Sequence, residues 1–177
     1  VRRFKVDSER DIARFNSFSE KIAPDVANTP KKKAEKWMKQ QGPFSSSLLT
    51  YIEKHKDQYD YFVFVTYLYA TSYFGMQLVN EKSILIPAAH DEWPIYLPIW
   101  DPGFQLPRQV ICNTPEEKEF LEKRFPGNNT QYDVIGMGLD LPEFPYPTNP
   151  SENKAFEKPF MGVHGFAKLY VGLKKCT

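Results

Sequence analysis

The sequence predicts an α/β fold: a Rossmann-like parallel sheet with helices on both faces. Three observations carry that expectation. Short β-prone runs recur at residues 61–65, 83–89, 110–112 and 132–137. Helical signals alternate with them, and polar residues or glycines follow each run. Strand, helix and strand at such spacing require right-handed crossovers, which build a parallel sheet.

Composition sets the bounds. The 177 residues are 41% hydrophobic and 15% aromatic, enough for one domain with its own core and against disorder. Lysine and arginine number 23 against 22 aspartates and glutamates, so the net charge is +1 and nucleic acid is not an expected partner. Two cysteines, Cys112 and Cys176, make no disulfide framework and suggest a reducing compartment. The apolar run at 61–69 is far shorter than the roughly 20 residues of a spanning helix. Val1-Arg2-Arg3, with no initiator Met and no signal peptide, reads as the interior of a longer gene product.

The elements follow in order. Ser8 is placed to cap a first helix whose apolar face is Ile12, Phe15, Phe18 and Ile22. Thr29-Pro30 opens a second, running from Lys31 to Gln41 and stopping at Gly42-Pro43. Ser45 to Ser47 cap a third, with Leu48, Leu49 and Ile52 on its buried side. The run at 61–65 is continuous, as in a strand covered on both faces. A helix at 71–80 leads to the second strand at 83–89. Pro98, Pro102 and Pro107 limit the next stretch to short helical turns. After the third strand, Thr114-Pro115-Glu116-Glu117 is a capping-box helix start. The fourth strand ends in Gly136-Met137-Gly138. Residues 1–141 form the sheet domain, 142–167 a proline-rich linker, and 168–177 the opening of another unit.

Ligands of open parallel sheets bind beyond the carboxyl ends of the strands, so the residues after each strand are the candidate site. They are Tyr67 after the first, His90, Asp91 and Glu92 after the second, Asn113 and Thr114 after the third, and Gly136 and Gly138 after the fourth. His90 is the sharpest of them, because an imidazole exchanges a proton or hydrogen-bonds a sugar hydroxyl near neutral pH. Asp91 and Glu92 suit acceptor hydroxyls, and Tyr67 suits stacking on a ligand. The bland alternatives are loop hydrogen bonds, caps and core packing. His55 and His164 lie apart from any ligand-spaced cluster, so no metal site is expected. Lys31, Lys32, Lys33, Lys36 and Lys39 make the second helix a solvated face, or one that rests on anionic lipid.

Several segments occur in a telling order: Gln41-Gly42-Pro43-Phe44, Asp60-Tyr61-Phe62-Val63-Phe64, Thr66-Tyr67-Leu68-Tyr69 and Ile86-Pro87-Ala88-Ala89-His90-Asp91-Glu92. Cys112-Asn113-Thr114-Pro115-Glu116-Glu117 and Val134-Ile135-Gly136-Met137-Gly138-Leu139-Asp140 complete the series. It resembles bacterial family 4 (group 1) glycosyltransferases over about residues 1–143. The resemblance implies part of the N-terminal, acceptor-side domain of a GT-B enzyme. It implies a retaining transfer from a nucleotide-sugar donor, as substrate, to a glycan, lipid or small-molecule acceptor, with no cofactor and no metal. His90 would be the cleft histidine, organising the transition state by hydrogen bonding. The implied location is cytoplasmic, open to peripheral contact at the inner membrane face.

The chain also departs from the family. The family's first strand and its glycine loop would precede Val1, Leu173 stands where an Arg is usual, and the donor-binding glutamates would lie beyond Thr177. The chain by itself is therefore expected to be inactive. The alternative is a non-catalytic binding module, or one half of a split glycosyltransferase.

Overall fold

A computed structural model describes residues 1–7, 10–127 and 129–136. The expected linker at 142–167, the segment at 168–177, Ser8 and Gly138 lie outside the described residues.

Three helices come first. Helix α1, Ile12–Ile22, is capped by Asp11, whose side chain accepts the Arg14 N–H. It begins beyond Ser8, which corrects the expected cap. Its apolar face is also shallower than the periodicity suggests: Ile22 is buried, Phe15 and Phe18 are half-buried, and Ile12 is exposed. A 3-10 turn, Ala23–Asn28, leads to α2, Lys31–Gln41. There Gly42, at φ 64°, turns the chain and gives its N–H to Met38 O. Helix α3, Ser46–His55, has the expected Ser45 cap, and Leu48 and Ile52 face inward.

The sheet follows: β1 Phe62–Val65, β2 Ser83–Ile86, β3 Gln109–Cys112 and β4 Gln131–Val134. All neighbours are parallel and lie in the order β1-β2-β3-β4. The connecting helices are α4 Ala70–Met76, α5 Trp100–Gly103 and α6 Pro115–Arg124. The α/β architecture with flanking helices is the expected one. Helix α4 packs closely against the sheet. Gly75 of α4 shows the closeness: a Cβ there would lie 2.5 Å from the Phe64 ring.

The two sheet faces are unequal. Phe62, Phe64, Ser83, Leu85, Val110, Cys112 and Tyr132 share one face and are all buried. On the opposite face Val63, Ile84, Ile86 and Ile111 are half-buried, and Val65 is 37% exposed. The expectation that the 61–65 run is shielded on both faces is thus corrected for β1, an outer strand of the described sheet. Strand β2 is shorter than expected because Pro87 offers no N–H to the ladder. The core is aromatic: Tyr67, Tyr73 and Phe104 pack edge-on or tilted around Trp100, or against one another.

Candidate functional site

Parallel strands bring their carboxyl ends to one rim, and backbone bonds stitch it together. Thr66 N–H donates to Ile86 O at 2.8 Å, Tyr67 N–H to Pro87 O at 3.0 Å, and Ile135 N–H to Cys112 O at 3.0 Å. Between β2 and β3 the stitch is a side chain. The buried carboxylate of Glu117 accepts the Ala89 N–H on one oxygen at 2.6 Å and the Asn113 N–H on the other at 2.7 Å. Its own backbone N–H goes to Thr114 Oγ1 at 3.1 Å, the expected cap of α6.

Two residues of this rim hold left-handed backbone angles without being glycine: Thr66 at φ 69° and Ala88 at φ 48°. Each such residue costs on the order of 1–3 kcal/mol, and a β-branched threonine is a marked outlier. Strain of this kind persists only where the surroundings over-determine the backbone.

The loop after β2 meets that condition. Besides Pro87 and Ala89, Glu92 takes the Tyr67 hydroxyl at 2.9 Å and Asp91 takes the Tyr96 hydroxyl at 2.7 Å. Trp93 packs edge-on against Trp37 of α2, with ring centroids 5.1 Å apart. A tight turn from Glu92 N–H to His90 O closes the loop at 2.9 Å. His90 is exposed at its tip, and no hydrogen bond from another described residue reaches its imidazole.

The expected site residues therefore separate. His90 is free, while its neighbours are committed. Tyr67 is fully buried, packs on Trp100 and Phe104, and holds Glu92; the expectation that it stacks on a ligand is corrected. Burial, and then the adjacent Glu92 charge, push its phenol well above the ordinary tyrosine range. Tyr96 is raised too, chiefly by its hydrogen bond to Asp91. Asp91 and Glu92 each keep a second carboxylate oxygen outside these bonds. Asn113 and Thr114 serve the start of α6. Gly136 is exposed beside β3, where a Cβ would come within 4.0 Å of Asn113 O.

Sequence reasoning missed the role of Glu117. It identified the capping box, but one partner of the carboxylate lies 28 residues away. Nothing local signals that bond, nor the strain at Thr66 and Ala88. His55 is structural, stacked on Tyr51 at 4.1 Å with Nδ1 2.8 Å from Tyr51 O. Among the described residues no group of His, Cys, Asp or Glu could hold a metal ion, and no helix is long and apolar enough to cross a membrane. The chain matches no family model, no curated protein and no solved structure.

Proposed function

We propose that this chain is the acceptor-side part of a retaining glycosyltransferase, moving a sugar from a nucleotide-sugar donor to a glycan, lipid or small-molecule acceptor. The reading places it in the cytoplasm, with peripheral contact at the inner membrane face through the lysines of α2. The ordered motif series supports the family. The observation that carries the chemistry is His90: an exposed, unpartnered imidazole on a loop fastened at both strand tips and by both carboxylates. A loop so constrained fixes the backbone from which the imidazole projects, and electrostatic stabilisation of a transition state gains from such preorganisation. Because configuration is retained, His90 donates or accepts a hydrogen bond across the reacting sugar instead of acting as the sole base. The spare oxygens of Asp91 and Glu92 hold acceptor hydroxyls.

The test is transfer by the protein of the complete reading frame with a panel of nucleotide-sugars. His90→Ala should cut turnover by about 100-fold or more while leaving the thermal midpoint unchanged. No transfer and no donor hydrolysis with any nucleotide-sugar would sink the reading.

A second reading, a binding module without catalysis, is favoured by one observation: most polar groups of the rim are spent on structure. Saturable glycan binding by the complete-frame protein, with no turnover of any donor, would select it.

A further inference from the structure

We propose that Glu117 is a specificity-determining residue: its carboxylate fills the anion site of the rim from within, so the group received beside His90 is an uncharged sugar hydroxyl and not a phosphate. The substrate class rests on the glycosyltransferase reading, whereas the filled site stands on geometry alone.

Two features make the rim of a parallel sheet receptive to anions: backbone N–H groups at the strand tips, and the N-terminus of the helix that follows a strand. Both occur between β2 and β3, and both are already used. The Ala89 and Asn113 N–H groups come from different strand tips and end on the two oxygens of one carboxylate, at 2.6 and 2.7 Å. Two donors converging in this way would hold an external carboxylate or phosphate equally well. Glu117 is 8% exposed, so the filled position lies just beneath the surface.

The first turn of α6 is closed in the same manner. Pro115 has no N–H, the Glu117 N–H goes to Thr114 Oγ1 at 3.1 Å, and the Lys118 N–H goes to Thr114 O at 3.2 Å. Glu116 adds a second negative charge to that turn. Elsewhere on the rim, the Thr66, Tyr67 and Ile135 N–H groups are spent on carbonyls of the neighbouring strand segment.

Side-chain charge points the same way. The strand-end segments 66–69, 87–93, 113–116 and 135–136 hold Asp91, Glu92 and Glu116 but no Lys or Arg. Arg124 lies over the ring of Tyr96, whose hydroxyl serves Asp91, yet its guanidinium is committed to Asp101 Oδ1 at 2.9 Å and Ile95 O at 3.2 Å. A phosphate at this rim is repelled by carboxylates and finds its best donor pair taken. A sugar hydroxyl suffers neither penalty, because it can donate to a carboxylate oxygen.

Removing the internal anion should let an external one in. The intact chain is titrated with inorganic phosphate and with formate, and backbone amide shifts are followed. The parent should show no saturable change at Ala89 and Asn113. Glu117→Ala should bind both anions at those two amides, at least about tenfold more tightly than the parent, since a like charge is gone and two donors are released. Saturable phosphate binding by the parent at Ala89 and Asn113 overturns the proposal, as does a folded Glu117→Ala that ignores both anions. If Glu117→Ala does not fold, Glu117→Gln takes its place, because it keeps the shape and loses the charge. Phosphate binding about fivefold tighter than the parent's then supports the proposal, and equal binding overturns it.

The protein of the complete reading frame tests the specificity itself. The kcat/KM for an accepted sugar, divided by that for its 6-phosphate ester, should fall about tenfold or more in Glu117→Ala. Transfer with an unchanged ratio overturns the specificity role. No transfer to any acceptor sinks the glycosyltransferase reading instead, and the amide shifts alone then decide whether Glu117 fills an anion site.

Discussion

The tips of β2 and β4 end on the same rim, yet the chain treats them differently. After β2, the loop through His90 is tied to β1, to β3, to α2 and to its own following turn, and it carries the positive φ of Ala88. After β4, Ile135 and Gly136 are exposed, and among the described residues one backbone bond, from Ile135 N–H to Cys112 O, holds them. Position on the rim is common to both tips. What separates them is the surrounding structure invested in one loop, because strain and buried polar bonds are retained only where something over-determines them.

Removing Glu117 should break the contrast most severely. Glu117→Ala strips the Ala89 and Asn113 N–H groups of their acceptor, and an unsatisfied buried donor costs about 1–3 kcal/mol. With two donors affected, a loss of about 3 kcal/mol is expected in denaturant unfolding, together with fast amide exchange at Ala89. A loss below about 1 kcal/mol would reduce Glu117 to an ordinary cap.

Alkaline titration sharpens the same point. Burial first, and the Glu117 charge second, push the Cys112 thiol up to about 12 from 9.0. The folded state thus holds a proton that the unfolded state releases, so this stability is complete below pH 9.0 and is lost as pH rises towards about 12. Cys112 should resist thiol reagents until unfolding, and Glu117→Ala should shift its titration downwards. An unchanged titration would mean that Glu117 does not act on this thiol.

The smallest effects lie in the paired tips themselves. Ala88→Gly relieves a left-handed alanine at about 1–2 kcal/mol but loosens the unfolded chain by about 0.4–1 kcal/mol, so a net gain between about 0 and 1.6 kcal/mol is expected. Gly136→Ala meets only an ordinary contact and should stay within about 0.5 kcal/mol of the parent. Equal responses at the two positions would erase the comparison.

Much of the fold was legible because its signals are local. Thr114-Pro115 with Glu117 marks the start of α6, Ser45 that of α3, and Gly42 the end of α2. The four strands begin within a residue of where the β-prone runs place them, but two end early: β2 stops at Ile86 instead of Ala89, and β4 stops at Val134 instead of running into Gly136. What was not legible depends on distant residues. The 61–65 run is apolar whether one face or two are buried, so its lopsided shielding follows from strand order alone. Ala88 and Ala89 look like strand residues, but Pro87 ends the ladder before them. His90 could be chosen for its chemistry and its place after a strand. That Tyr67 packs while His90 stays free depends on Trp100 and Phe104, more than 30 residues further along.

Glu117 also has a consequence in time. Its carboxylate can engage Ala89 only after β2, β3 and α6 have assembled, because the bond spans 28 residues of chain. We predict that the clamp sets after the transition state, so that its loss appears in the unfolding rate far more than in the folding rate when both are measured by stopped-flow. The loop that carries His90 would then be the last part of the rim to set and the first to come loose.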